Sequence, residues 1–186
     1  MRPLYDDGAI EAQAATRDYV LDLDTRGAPL LSVFGGKITT YRRLAQHALE
    51  KLEPYLPSAA RLRRDWSGRT PLPGGDFAVQ GFETLVSDLG RDYPWLDAGQ
   101  RRRLARAYGT RARMVLGSAT SKAALGRDFG SGLSEAEVLY LMQREWAEAA
   151  ADIVWRRSKL GLRLSSDQVA ALEDFMAEHP QECLAG

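Results

Sequence analysis

Apolar residues recur at helical spacing from Asp76 almost to the end of the chain, and capping residues and glycines cut the run into short lengths. Such a pattern leaves room for packed helices and little else, because each apolar stripe must be buried against a neighbouring element. Phe82, Leu85, Val86 and Leu89 form one stripe, with Asp76 placed to cap it and Gly90 to end it. Leu104, Ala107 and Tyr108 line a second, stopped at Gly109, and Thr110 opens a third that carries Met114, Val115 and Leu116 before Gly117. Ser134 and Glu137 have capping-box spacing ahead of Val138, Leu141, Met142 and Trp146. Asp152 to Lys159 reads as a further helix, with Val154 and Trp155 assigned to its core face. Ser165 and Gln168 repeat the capping-box spacing before Val169, Leu172, Phe175 and Met176. The expected fold is therefore mainly α, a bundle of about six helices with short connections.

The first fifty or so residues follow a different rule. Tyr19–Leu23 alternates and is β-rich, Thr25–Pro29 is a turn, and Leu30–Phe34 is a second strand. Two strands alone make only a marginal sheet. The second strand breaks at Gly35-Gly36, and the chain restarts as a helix in which Tyr41, Leu44, Ala45, Ala48, Leu49 and Leu52 share a face. Thr39 or Thr40 supplies a hydroxyl for the helix start. A strand–Gly-Gly–helix junction lets the main chain approach a ligand closely and leaves N–H groups for an anionic or electron-rich partner, and Lys37 adds a full positive charge. On spacing alone, plain turn chemistry is the simpler explanation. The junction is neither a P-loop nor a dinucleotide fingerprint.

Residues 54–75 read as a linker, with Pro54, Pro57, Pro71, Pro73 and glycines at 68, 74 and 75. Its Arg61, Arg63 and Arg64 belong to a solvated segment, since a nucleic-acid arm needs interleaved aromatics and only Trp66 is near. The expected organisation is 1–53 as the tail of a ligand-binding domain, 54–75 as linker, 76–180 as a helical domain and 181–186 as a frayed tail.

Composition narrows the function classes. The chain of 186 residues is 45% hydrophobic and 27% charged with a formal net charge of zero, so no global field favours nucleic acid or an anionic surface. Its single cysteine, Cys183, fits a reducing compartment, and the absence of a signal peptide or long uncharged apolar run points to a cytoplasmic address that still permits peripheral membrane docking. No metal site is expected: His179 and Cys183 are separated by Pro180 and have no third ligand nearby. Asp128-Phe129-Gly130 reads as a turn. His47 lies within the amphipathic helix and is a weak candidate for a general base. Trp155-Arg156-Arg157-Ser158-Lys159 presents a basic stretch suited either to a helix C-terminus or to a docking face.

Ser32-Val33-Phe34-Gly35-Gly36-Lys37-Ile38-Thr39-Thr40-Tyr41-Arg42 resembles the flavin-side motif of the FAD-dependent glycerol-3-phosphate dehydrogenases. The resemblance continues upstream through Arg2-Pro3-Leu4 and Thr16-Arg17-Asp18-Tyr19. Downstream it takes in Leu72-Pro73-Gly74-Gly75, Tyr93-Pro94-Trp95-Leu96, Ala107-Tyr108-Gly109, Asp128-Phe129-Gly130 and Trp155 to Gly161, so it runs with gaps from Arg2 to about Gln168. It implies a C-terminal fragment of such an enzyme, because no G-x-G-x-x-G turn for the FAD pyrophosphate is present and the chain begins in mid-motif at Arg2. It implies a β-hairpin remnant of the FAD domain ahead of the helical bundle, and oxidation of sn-glycerol 3-phosphate with electrons passed to quinone. By the same resemblance Arg2 and Arg17 bind the substrate phosphate, and Lys37 lies beside both flavin and substrate as the catalytic cation. The backbone of Gly35, Gly36, Lys37, Ile38 and Thr39 meets the pyrimidine edge of the flavin, where donors and a cation favour arriving electrons. The implied partners are an N-terminal FAD-binding domain, glycerol 3-phosphate and quinone, with no nucleic acid. The isolated fragment is expected to be inactive and without tight FAD. An oxygen-using glycerol-3-phosphate oxidase shares these motifs, and a helical interaction module for dimerisation or membrane docking stands as the alternative role.

Overall fold

The alternation in Tyr19–Leu23 produces strand β1 (Tyr19–Asp24), which pairs antiparallel with β2 (Leu30–Gly35) from Tyr19↔Gly35 to Asp24↔Leu30 in a computed structural model that describes residues 18–57 and 66–179. The turn between them is closed by Asp24, whose carboxylate accepts from the Arg26 backbone N–H and guanidinium. After a single 3₁₀ turn at Ile38–Thr40, helix α1 (Tyr41–Leu52) follows. The Tyr19 hydroxyl meets His47 Nδ1 at 2.6 Å, so the ring of His47 fastens α1 to β1. These elements belong to the first of two units, Met1–Thr70 and Pro71–Gly186. No residue of α1 is fully buried, and Leu30, Val33, Phe34, Ile38, Tyr41 and Leu49 are exposed.

The second unit is built from α2 (Phe82–Asp92), α3 (Ala98–Tyr108), α4 (Ala112–Leu116), α5 (Glu135–Glu145), a π-helical turn at Asp152–Arg157 and α6 (Ser166–Glu178). Among the described residues the chain is thus mainly helical, with six α-helices and one two-stranded sheet. Two apolar clusters form the core. Leu85 and Leu89 of α2 pack with Leu96, Leu104, Ala112 and Leu116, whereas Val138 and Leu141 of α5 pack with Phe129, Ile153, Leu172 and Phe175. Tyr108 touches both clusters.

Where the two clusters meet, α3 and α5 are joined by a buried polar network. Glu137 is 1% exposed and accepts two bonds from the Arg103 guanidinium at 2.7 Å each and a third from the Tyr108 hydroxyl at 2.7 Å. Arg103 also donates to the Gly132 carbonyl at 2.7 Å. Burial, and then the adjoining Glu137 carboxylate, push the Tyr108 phenol far above the usual tyrosine range, so it remains a donor. Burial by itself would depress Arg103, but the Glu137 carboxylate outweighs it and the net direction is upward.

Several local expectations change for identifiable reasons. Asp76 does not cap α2, whose N-cap residue is Gly81; its carboxylate instead takes the Thr110 hydroxyl. Asp97, unmarked by periodicity, caps α3 by accepting from Gln100 N at 2.8 Å. Ser134 caps α5, but the Glu137 side chain never reaches back, because it is the buried acceptor for Arg103. Trp146 falls off the α5 stripe: it ends the helix in a left-handed conformation and is 82% exposed. Trp155 is exposed on one side, with the other against Gly161, where a Cβ would strike the indole, so it is not a core residue. The helix expected at Asp152–Lys159 is wound as a π turn, closed by the Ser158 N–H and hydroxyl on the Ile153 carbonyl at 3.0 and 2.7 Å. The Ser165–Gln168 capping box forms in full, and Asp128-Phe129-Gly130 is a turn in which Asp128 accepts from Gly130 N.

Candidate functional site

The Gly-Gly-Lys junction in the first unit is shaped by its two glycines. Gly35 and Gly36 have φ of 69° and 93°, values that side chains adopt rarely, and a Cβ on Gly36 would sit 3.2 Å from that of Tyr19. The chain then leaves β2 sharply and enters Lys37 in extended conformation. The Lys37 carbonyl accepts from both the backbone N–H and the hydroxyl of Thr40, at 3.0 and 2.8 Å. Neither threonine therefore caps the helix as expected, and Thr40, the residue preceding α1, makes no side-chain cap bond.

One consequence is a set of free donors. The backbone N–H groups of Lys37, Ile38 and Thr39 have no hydrogen-bond partner among the described residues. They lie in consecutive residues at a turn that continues into α1, where the local backbone field is positive. The Lys37 side chain is exposed, as are Ile38 and Thr39. The structure thus brings Gly35, Gly36, Lys37, Ile38 and Thr39 together as one exposed, donor-rich turn bearing a cation. Residues of this kind fit the electron-rich edge of a planar heterocycle such as a flavin: N–H groups for its ring acceptors, a lysine for accumulated charge, and exposed Ile38 and Phe34 for its apolar surface. Arg2 and Arg17 lie outside the described residues.

Other candidates behave otherwise. His47 is bonded to Tyr19, and His179 places Nδ1 on the Phe175 carbonyl with its ring stacked on Phe175 at 4.2 Å. Cys183 lies outside the described residues, and among those described no group of three or more histidine, cysteine or carboxylate side chains is arranged to hold a metal. Arg157 and Lys159 of the basic stretch donate to the main-chain carbonyls of Glu145, Trp146 and Trp155. Sequence reasoning missed the Arg103–Glu137–Tyr108 network; its signal was a glutamate on the apolar side of a helix that is otherwise Val138, Leu141 and Met142. No helix among the described residues is long and apolar enough to cross a membrane.

Residues 67–183 match the family described as the C-terminal domain of alpha-glycerophosphate oxidase. The chain is 48% identical over 183 residues to a glycerol-3-phosphate dehydrogenase of Pseudomonas aeruginosa, covering 97% of this chain and 35% of that protein. It is 45% identical over 188 residues to the aerobic glycerol-3-phosphate dehydrogenase of Escherichia coli, covering 100% of this chain and 36% of that protein. A D-erythritol 1-phosphate dehydrogenase of Brucella abortus is 45% identical over 176 residues, which is 94% of this chain and 34% of that protein. The chain spans about a third of the length of the curated relatives it matches.

Proposed function

Because the chain belongs to the family described as the C-terminal domain of alpha-glycerophosphate oxidase, we propose that it forms the C-terminal part of a flavoenzyme that oxidises sn-glycerol 3-phosphate to dihydroxyacetone phosphate. In this reading residues 1–53 complete a flavin- and substrate-binding portion, 54–75 connect, and 76–180 form the helical domain. FAD, when bound, supplies the two-electron acceptor for the secondary alcohol, and quinone receives the electrons afterwards. The Lys37, Ile38 and Thr39 N–H groups donate to the flavin edge. The Lys37 ammonium steadies negative charge there and on the substrate. Arg2 and Arg17 grip the phosphate, since guanidinium can engage two phosphate oxygens at once.

The observation that carries this reading is the donor-rich turn: consecutive N–H groups without partners beside an exposed lysine, next to uncovered apolar side chains of β2. Exposed apolar surface of this kind calls for a covering partner, which the flavin-binding portion provides. The isolated chain is inactive in this account. A second reading, with oxygen in place of quinone, is favoured by the oxidase in the family's own description.

The test replaces Arg17 with glutamine in the longer flavin-containing enzyme. Loss of charge-assisted bonds worth roughly 1.5–3 kcal/mol raises KM for sn-glycerol 3-phosphate about tenfold or more. An unchanged KM overturns the assignment of the phosphate pocket.

A further inference from the structure

Although the chain carries no net charge, positive charge is concentrated in one groove of the second unit. The groove encloses about 860 Å³, within the range of cavities that hold small organic ligands. Seven cationic residues line it against two acidic ones, Asp97 and Asp128. They come from separate stretches of chain: Arg102, Arg103 and Arg106 from α3, Lys122 from the loop beyond α4, and Arg157, Lys159 and Arg163 from the end of the π turn onward. A solvated helix face would draw its charges from one element, whereas here the fold gathers them around a concavity.

What matters is how much of that charge is already balanced. Arg102 pairs with Glu83, Arg103 with Glu137 and Lys122 with Asp97. Asp97 also caps α3 and Asp128 accepts from Gly130 N, so both lining carboxylates are engaged. Of the other four, Arg157 is taken up within the fold, whereas Arg106, Lys159 and Arg163 make no ion pair among the described residues. The Arg157 Nε and Nη2 donate to the Glu145 carbonyl at 3.0 and 2.6 Å, Nη2 also reaches that of Trp146 at 3.3 Å, and Nη1 is ion-paired with Asp152 at 3.7 Å. Lys159 donates to the Trp155 carbonyl from a left-handed backbone, with φ of 60°. Arg106 rests over the Phe82 ring at 5.8 Å, and the Arg163 guanidinium makes no hydrogen bond or ion pair among the described residues. Carbonyl oxygens and a ring face orient a cation while leaving its charge to act outward, and clustered cations in a concavity focus their field on an incoming anion. The 77% exposed Leu162 adds an apolar edge, backed by the buried Leu160.

We infer that this groove binds a soluble, multiply phosphorylated organic molecule, its phosphates on Arg106, Lys159 and Arg163 and its carbon framework against Leu162. The inference does not depend on the activity proposed above. Guanidinium suits the role because it meets phosphate oxygens through paired N–H groups.

Calorimetric titration of the full 186-residue chain with tripolyphosphate and with adenosine triphosphate, in about 50 mM salt where screening is modest, tests the inference. The expected result is saturable binding of one adenosine triphosphate per chain, tighter than tripolyphosphate because the framework meets Leu162. Replacing Arg106 and Arg163 together with glutamine weakens it at least about tenfold, with an unchanged circular dichroism spectrum. Arg163→Gln alone, which removes no existing contact, weakens it severalfold. Replacing Arg43 and Arg69 of the first unit, an equal change of charge, leaves it unaltered. Absence of saturable binding, or equal weakening by the Arg43 and Arg69 changes, overturns the inference. Retention on phosphatidylglycerol vesicles without binding of either soluble ligand overturns it as well, and assigns the groove to a lipid surface.

Discussion

Truncating Glu137 to alanine exposes how much of the helical unit depends on one buried carboxylate. The substitution strands two Arg103 donors and the Tyr108 hydroxyl, each now bonded to Glu137 at 2.7 Å. Breaking a buried pair by removing one partner costs roughly 3–5 kcal/mol. The Arg103 side chain keeps 21% exposure and can recover part of its hydration, which places the expected loss at about 3 kcal/mol. For a domain of this size that corresponds to a fall in Tm on the order of 10 °C. Urea unfolding followed by the fluorescence of Trp95, Trp146 and Trp155, all in this unit, measures it. Glu137→Gln retains the shape and one acceptor oxygen and should lose less. A double change, Arg103→Met with Glu137→Leu, removes both charges, and apolar replacement of a whole buried pair is close to neutral; it should lose less than Glu137→Ala alone. A loss below about 1 kcal/mol for Glu137→Ala, the scale of an exposed pair, or a double variant weaker than the single one, refutes the reasoning.

Two further expectations concern the same unit. Gly109→Ala places a Cβ 1.8 Å from the Gly74 carbonyl oxygen on a residue with φ of 56°, so it should destabilise by about 2 kcal/mol or more in the same urea assay. The backbone N–H of Gln100 holds the Asp97 carboxyl below the ordinary range, and those of Glu148 and Ala149 do the same for Asp152. A depressed folded value means these groups stabilise above the unfolded carboxylate value of about 3.9, and the contribution disappears as pH falls through the lower folded values. Tm should therefore drop as pH is lowered past about 4, and Asp152→Asn should flatten that part of the profile.

The regular parts of this fold were legible because they obey local rules. The 3.6-residue spacing located all five helices of the second unit, and the Ser165–Gln168 pair marked the start of α6 to the residue. Asp76 and Trp146 were misread because what holds them is not local: Asp76 turns to a threonine 34 residues away, and Trp146 follows the left-handed turn that ends α5. Glu137 satisfied the capping-box spacing, yet its side chain answers to Arg103, also 34 residues distant, because a buried guanidinium competes far more strongly than a helix-start N–H. At the Gly-Gly-Lys turn the positive φ values followed from the glycines themselves. The free N–H groups did not, since either threonine could have capped the helix. The basic groove was invisible along the chain because its cations lie on elements up to about 60 residues apart, brought together only by packing.

The proposal that Lys37 and its neighbouring N–H groups meet a flavin is open to direct measurement. Its most direct test is the rate at which sn-glycerol 3-phosphate bleaches the visible flavin absorbance of the longer enzyme without oxygen, compared between lysine and Lys37→Met. Removing a preorganised charge from a developing anion slows such a step about a hundredfold or more. The expected result is that slowing with the flavin still bound; a Lys37→Met enzyme that bleaches at the unaltered rate contradicts the proposed role of Lys37.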